Sequence, residues 1–275
     1  MKIVFCGTPQ FAVPTLERLI QEKFETALVV TNPDEPSGRG HETKPPPVKE
    51  TALKAGLSIF QPVRFKGPET ETRITPLKPD VVVVVAFGHI IPQWMIALPP
   101  LGCLNLHASL LPRYRGAAPI AWSIIRGERT TGNTTMKIDA GLDTGDILLQ
   151  QETGIAADDT AATLGAKLSV LGAELMIETL RGLEAGVIQP RPQDHSLATL
   201  APLLKKEDGI IDWTLRPEDI ERRVRGLQPW PLAHTVFRKR GLAIWAARPT
   251  DSPGALQPGE LAVKNRKLFA GCGEG

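Results

Sequence analysis

Apolar and polar positions fall into short blocks along this chain, and the blocks change period in a repeating order. Lys2–Cys6 is an almost unbroken apolar run, of the length and kind left by a strand covered on both faces. Gly7-Thr8-Pro9 ends it, and a helix is predicted from about Phe11 to Lys23. The order then repeats: a strand at Ala27–Thr31, a helix around Val48–Ala55 and a short strand at Leu57–Gln61. Asp80–Phe87 contains five consecutive valines, the mark of a central parallel strand. Cys103–His107 reads as the next strand, Ala118–Arg126 as a helix, and Gly132–Asp139 and Gly145–Thr153 as paired strands. Ala161–Ala185 is a strong amphipathic helix stopped by Gly186. Strands and helices in alternation predict an α/β fold on a mostly parallel sheet. Such sheets bind ligands beyond the carboxyl ends of their strands.

Two stretches break the pattern. Asn32–Lys49 is proline-rich and includes Pro36-Ser-Gly-Arg-Gly-His, which predicts a long irregular loop of the functional kind. Gln189–Pro202 reads as a linker, dividing a domain at 1–188 from a smaller one at 203–275, with 189–202 between them. In the smaller part Pro217–Gly226 is a charged helix. Short strands at Thr235–Arg238, Leu242–Ala246 and Lys267–Ala270 predict a small β-barrel, with Trp213, Trp230 and Trp245 in its core. The sequence given has no further strand to close that barrel, so it is expected to be incomplete.

A length of 275 residues suits about two domains, and 42% hydrophobic with 23% charged residues describes an ordinary globular chain. No apolar run approaches the ~20 residues that cross a bilayer. The start is too short in apolar residues for a secretory signal, and no membrane partner is expected. Cys6, Cys103 and Cys272 lie far apart without metal-ligand spacing, so a reduced, cytoplasmic protein without a metal is expected. Net charge is +2, but from Leu203 onward thirteen basic residues face nine acidic ones. That mild excess is compatible with a polyanionic partner and equally with solvated surface charge.

The chemistry concentrates between Leu101 and Pro119. Strand alternation puts Cys103, Asn105 and His107 on one face and Leu104 and Leu106 on the other. An amide and an imidazole at the end of a buried strand are costly unless hydrogen-bonded, which fits a structural pair as well as a catalytic one. A second polar cluster, Asp139-Ala-Gly-Leu-Asp143-Thr-Gly-Asp146, tips the balance. A carboxylate from that loop could hold the imidazole, and Asn105, His107 and Asp143 would form an acyl-transfer site without a side-chain nucleophile. A hydrolase using Cys103 is disfavoured, because four residues of strand separate thiol from imidazole by ~13 Å. The acidic loop fits no EF-hand, and Gly7-Thr-Pro lacks the dinucleotide and P-loop fingerprints. His41, His89, His195 and His234 are scattered and read as ordinary surface or packing residues, although His89 could line a cleft.

Together these residues resemble the methionyl-tRNA formyltransferase family over nearly the whole chain. The motifs are Gly7-Thr-Pro-x-Phe11, Pro36-x-Gly-Arg-Gly40, Pro45-x-Pro-Val-Lys49, Phe87-Gly to Pro92, and Asn105-x-His107 with Ser109-Leu-Leu-Pro-x-x-Arg-Gly116. Gly141-Leu-Asp-Thr-Gly-Asp146, Ile211-Asp-Trp213 and Pro229-Trp-Pro231 complete the set. The resemblance implies a Rossmann-like formyltransferase domain followed by an OB-like barrel. It implies transfer of formyl from 10-formyltetrahydrofolate to initiator methionyl-tRNA by a monomer, with Asn105, His107 and Asp143 at the catalytic positions. Phe87, Gly88, Ile90, Ile91, Ser109, Leu110, Leu111 and Pro112 match folate-binding positions. Arg39, Lys44 and Lys49 match the insertion that meets the tRNA acceptor end. Here that insertion also carries Glu35, His41 and Glu42 where the family is richer in lysine and arginine, and Gly-Leu-Gln precedes Pro229 in place of the commoner Ala-Phe-Asn. A formyltransferase acting on a sugar nucleotide or other small amine, and a non-enzymatic RNA-binding module, are the alternatives.

Overall fold

A computed structural model describes residues 1–37, 42–250 and 256–273. Its first strands are those of the repeating pattern: β1 (Lys2–Gly7), helix α1 (Val13–Gln21) and β2 (Glu25–Val30). The Asn32–Lys49 stretch is not wholly irregular, because β3 (Glu35–Ser37) pairs antiparallel with β4 (Glu42–Lys44). Three-residue strands leave no readable alternation among prolines, so this ladder was invisible in the pattern. Then follow α2 (Pro47–Lys54), β5 (Ile59–Phe60), α3 (Pro68–Ile74), β6 (Val81–Val85), α4 (Gln93–Ala97) and β7 (Cys103–His107). Neither α3 nor α4 was predicted, since helices of seven and five residues span too few turns to show a period. The chain continues through α5 (Pro119–Ile125), β8 (Thr130–Lys137), β9 (Ile147–Gly154), α6 (Ala161–Glu184) and α7 (Pro217–Gly226). Four short strands follow: β10 (Ala233–Phe237), β11 (Arg240–Ile244), β12 (Leu261–Lys264) and β13 (Lys267–Ala270).

Seven strands form one sheet in the order β5-β2-β1-β6-β7-β8-β9, parallel from β5 to β7 and antiparallel at β7–β8. The chain builds outward from β1 on one side and then returns to add β6 and β7 on the other. That reversal opens a crevice at the carboxyl ends of β1 and β6, beside the end of β7. The valines of β6 divide between the two faces: Val81, Val83 and Val85 join a core with Ile3, Phe5, Leu104, Leu106 and Met176, and Val82 and Val84 join Val4, Cys6 and Cys103 on the other side. Both faces of β6 are therefore covered, as its composition demands. Gly172 lets α6 lie close on β7, for a Cβ there would sit 2.7 Å from Leu106 Cδ2.

The chain divides into two compact units that interleave along the sequence. One comprises residues 1–115, 132–152 and 165–199, and the other 116–131, 153–164 and 200–275. Helix α5 falls in the second of these units, where it packs on α7 through a cluster including Ala121, Ile220, Val224 and Leu227. The stretch 189–202 is not a free linker, because Arg191 exchanges two backbone hydrogen bonds of 2.8 Å with Ile147 on the edge strand β9. In the second unit β10–β11 and β12–β13 are separate antiparallel pairs, and among the described residues nothing closes them into a barrel, as anticipated. A cavity of about 980 Å³ opens beside them, lined by Ile211, Trp213, Ile244, Leu261 and Phe269. Trp213 is half-buried there as expected, but Trp230 and Trp245 are exposed. Trp230 lies in the turn between α7 and β10, and Trp245 just past the end of β11, so neither side chain is carried by a strand of the pairs.

Replacing Gly172 with Val forces the buried Leu106 off its rotamer. We expect a loss of about 1–3 kcal/mol, measured as a lower urea midpoint at unchanged m-value.

Candidate functional site

β7 carries its polar residues to the end of the sheet as the alternation predicted. Leu104 and Leu106 turn into one core cluster and Cys103 into the other, while Asn105 is half-buried and His107 only 6% exposed. His107 Nε2 lies 2.9 Å from the backbone carbonyl of Tyr114. A carbonyl only accepts, so Nε2 carries a proton and donates it there. The other ring nitrogen, Nδ1, faces Asp143 Oδ2 at 3.6 Å, an ion-pair separation rather than a hydrogen bond. Asn105 has no hydrogen-bond partner for its amide among the described residues, which leaves N–H donors and a carbonyl open beside the imidazole.

Loops bring the partners in. Gly145 sits so close to the Lys137 carbonyl that a Cβ would approach it to 1.9 Å, and this contact returns the loop to β9. Asp139 accepts hydrogen bonds from Gly141 N (3.0 Å) and Thr144 Oγ1 (2.7 Å), which makes it a turn former. Among the described residues no group of three His, Cys, Asp or Glu side chains could hold a metal ion. Ala86, Tyr114 and Asp143 all have left-handed backbone, with φ of 45°, 62° and 51°. For non-glycine residues that conformation costs ~1–2 kcal/mol each. Three such residues, one on each segment around the site, are the kind of strain that surrounding structure must hold.

Three residues that the sequence reading did not single out do the holding. Gln193, from the supposed linker, is 6% exposed and donates to the carbonyls of Asp143 (2.9 Å) and Gly145 (2.7 Å). Its Oε1 accepts from Arg115 Nε (3.1 Å) and Nη2 (2.5 Å), and Arg115 Nη2 also donates to His195 Nδ1 (3.0 Å). Tyr114 contributes its carbonyl to His107. A glutamine that follows Pro192 in a loop-like stretch gives no warning of this role. The Arg115-Gly116 pair was visible as a motif, but its use was not.

The remaining candidates sort by environment. Phe87 and Ile91 are buried in a core cluster, whereas Ile90, just beyond β6, is 73% exposed and Leu142, beside Asp143, 64%. Gly88 has a left-handed φ of 77°. Ser109 is buried and donates to the Arg113 carbonyl at 2.6 Å, with Leu110 half-buried beyond it. Leu111 is buried against Met136 and Ile147, and its carbonyl accepts from Gln150, while Pro112 accepts at its carbonyl from Thr199 N. Lys44 is exposed on β4. Lys49 is engaged by both carboxylate oxygens of Asp34 at 2.8 and 2.6 Å, and the Gln61 amide and this ammonium hold the Asp34 carboxyl below its usual range. Arg39 and His41 lie outside the described residues. His89 is exposed, packed against Phe87 and Phe65, and bonded to Asn32 Oδ1 at 2.8 Å. Cys103 donates its thiol to the Met95 carbonyl, and burial pushes it up to about 12, which removes it as a nucleophile.

Residues 1–180 match the family described as formyl transferase, and residues 203–275 match the formyl transferase C-terminal domain. The methionyl-tRNA formyltransferase of Solibacter usitatus (strain Ellin6076) is 53% identical over 100% of this chain and 88% of that protein. That of Koribacter versatilis (strain Ellin345) is 53% identical over 99% of this chain and 87% of its own length. In fold, the chain is similar to an N-formyltransferase from Helicobacter canadensis crystallised with folinic acid and dTDP-3-aminofucose, at a TM-score of 0.74 and 17% identity, covering 99% of this chain and 96% of that one.

The burial of Cys6 and Cys103 predicts that neither reacts with iodoacetamide at pH 8 in the native protein. Both should be alkylated after unfolding in urea, as read by mass spectrometry.

Proposed function

The chain belongs to the formyl transferase family, and we propose that it moves the formyl group of 10-formyltetrahydrofolate onto the amino group of initiator methionyl-tRNA. The observation that carries the chemistry is the trio at the end of β7: an open Asn105 amide, an imidazole with one nitrogen committed to Tyr114, and a carboxylate 3.6 Å from the other. The relatives of about half-identical sequence support the tRNA acceptor over a sugar nucleotide, because the sugar-binding neighbour shares only the fold.

The methionyl amine is itself the nucleophile. Its nitrogen forms a bond to the formyl carbon, the carbonyl oxygen takes negative charge, and the bond from that carbon to the folate nitrogen then breaks. The amine loses a proton and the departing nitrogen gains one. Asn105 donates an N–H to the oxygen, and His107, as the imidazolium that the Asp143 carboxylate favours, donates from Nδ1, the nitrogen not spent on Tyr114. One such donor is commonly worth ~10²–10³ in rate. Asp143 orients the imidazole and takes the amine proton through water. The exposed apolar side chains Ile90 and Leu142 suit the flat ring system of a folate, with Phe87, Gly88, Ile91 and Ser109–Pro112 shaping the backbone beneath it.

Arg39 and Lys44 meet phosphates of the acceptor end, while Lys49, neutralised by Asp34, fixes the root of that loop. None of the described helices is long and apolar enough to cross a membrane. The three cysteines are free, consistent with work in the reducing cytoplasm.

His107→Ala and Asn105→Ala should each lower kcat about 10²–10³-fold with little change in KM for the folate. Equal losses in both parameters would mark the imidazole as structural. Formylation of methionyl-tRNA should also weaken steeply as salt rises, in proportion to the phosphates contacted. A salt-insensitive kcat/KM, or equal turnover of free methionine, would turn the assignment towards a small amine.

A further inference from the structure

Gln193 and Arg115 close a ring of contacts around the proposed catalytic pair. Tyr114 and Arg115 are adjacent in sequence, and each is linked to one member of that pair, Tyr114 directly and Arg115 through Gln193. The Tyr114 carbonyl takes the Nε2 proton of His107. The Arg115 guanidinium grips Gln193 Oε1 through Nε and Nη2, and the Gln193 amide nitrogen donates to the carbonyls on either side of Thr144, those of Asp143 and Gly145. Carbonyls only accept and a guanidinium only donates, so the Gln193 amide has a single orientation that satisfies all four bonds. It is buried, so water cannot substitute for any of them. Arg115 is also buried, and its guanidinium has His195 as its other partner, with no carboxylate in contact among the described residues. The Asp143 loop is thus clamped by a side chain fifty residues further along the chain, at a residue with left-handed backbone.

We propose that Gln193 is a positioning residue for the reaction: through Arg115 it fixes how far the Asp143 carboxylate stands from His107 Nδ1. This rests on Asp143 being catalytic, as argued above. Its action is on the rate step, because it touches the backbone of the Asp143 loop and neither the strand that carries Asn105 nor the exposed apolar side chains.

Gln193→Met keeps the length and removes every hydrogen bond, and misplacement by about an ångström can cost ~10²-fold in rate. We expect kcat for formylation of methionyl-tRNA to fall by about that factor, with KM for both substrates nearly unchanged. In an Asp143→Asn background, read by single-turnover formylation, the same change should cost nothing further, because the carboxylate it positions is gone. Gln193→Glu keeps a partner for the buried Arg115 and so preserves the fold, but it turns carboxylate oxygen towards two carbonyls. It should lose kcat as Gln193→Met does. Wild-type kcat in either variant, or an equal loss with Asp143 and with Asn at 143, would overturn the positioning role. An Asp143→Asn protein with full activity would instead overturn the catalytic reading of Asp143, which separates the two failures.

Discussion

A backbone carbonyl cannot donate a hydrogen bond, and the rest of the site follows from that fact at Tyr114. Its oxygen, 2.9 Å from His107 Nε2, commits one ring nitrogen to carry a proton and turns the other towards Asp143. Were the carbonyl elsewhere, the imidazole could rotate or change tautomer, and neither the carboxylate nor a substrate oxygen would meet a defined atom. The carbonyl is aimed by a left-handed backbone at Tyr114, a conformation that a tyrosine adopts only under constraint. The constraint is visible: Tyr114 N donates to Thr199 Oγ1, and Arg115 N to the Thr199 carbonyl. The segment expected to be a linker therefore sets the ring on β7.

The sheet supplies what loops cannot. β7 lies between β6 and β8, with Leu104 and Leu106 in one core and Cys103 in the other, so the strand has no freedom to slip. A slip of one residue would send Asn105 and His107 into the leucine layer and bring Leu106 to the crevice. The hydrophobic pattern thus secures the polar one. The same burial that pins the strand disposes of Cys103, whose thiol is held by Met95 and kept protonated by its apolar surroundings. Residues four apart on one face of one strand, both buried, end up with opposite chemical fates, decided by what faces them: the Met95 carbonyl for the thiol, the Tyr114 carbonyl and the Asp143 carboxylate for the imidazole.

What could be read from the sequence depended on whether the signal was local. β7, α7 and β13 have the predicted limits because alternation and helical spacing are properties of neighbouring residues. The carboxylate of Asp143 was legible as a partner for His107 because it sits in a glycine-containing loop beside a strand pair. The β3–β4 ladder, α3 and α4 were too short to show a period. The membership of α5 in the second unit, the exposure of Trp230 and Trp245 and the burial of Gln193 depend on what the chain meets far along its length. Composition at 189–202 is that of any loop, and nothing in it distinguishes a loop that passes by from one that reaches in.

The economy of the site is set by its nucleophile. On the proposed mechanism the amine is its own nucleophile, so the side chains need only stabilise an oxygen and move protons. Those tasks tolerate weak individual contacts but not loose geometry, because a donor is effective only where charge develops. A strand end provides that accuracy for Asn105 and His107. The third group arrives on a loop, and loops lack it by default. Clamping the loop's carbonyls with a buried glutamine, itself held by a buried arginine, gives a surface turn the fixity of a strand and holds it through its backbone rather than through the carboxylate. The amide does this better than a charged group could, since it offers donors to the loop and an acceptor to the arginine in one planar unit.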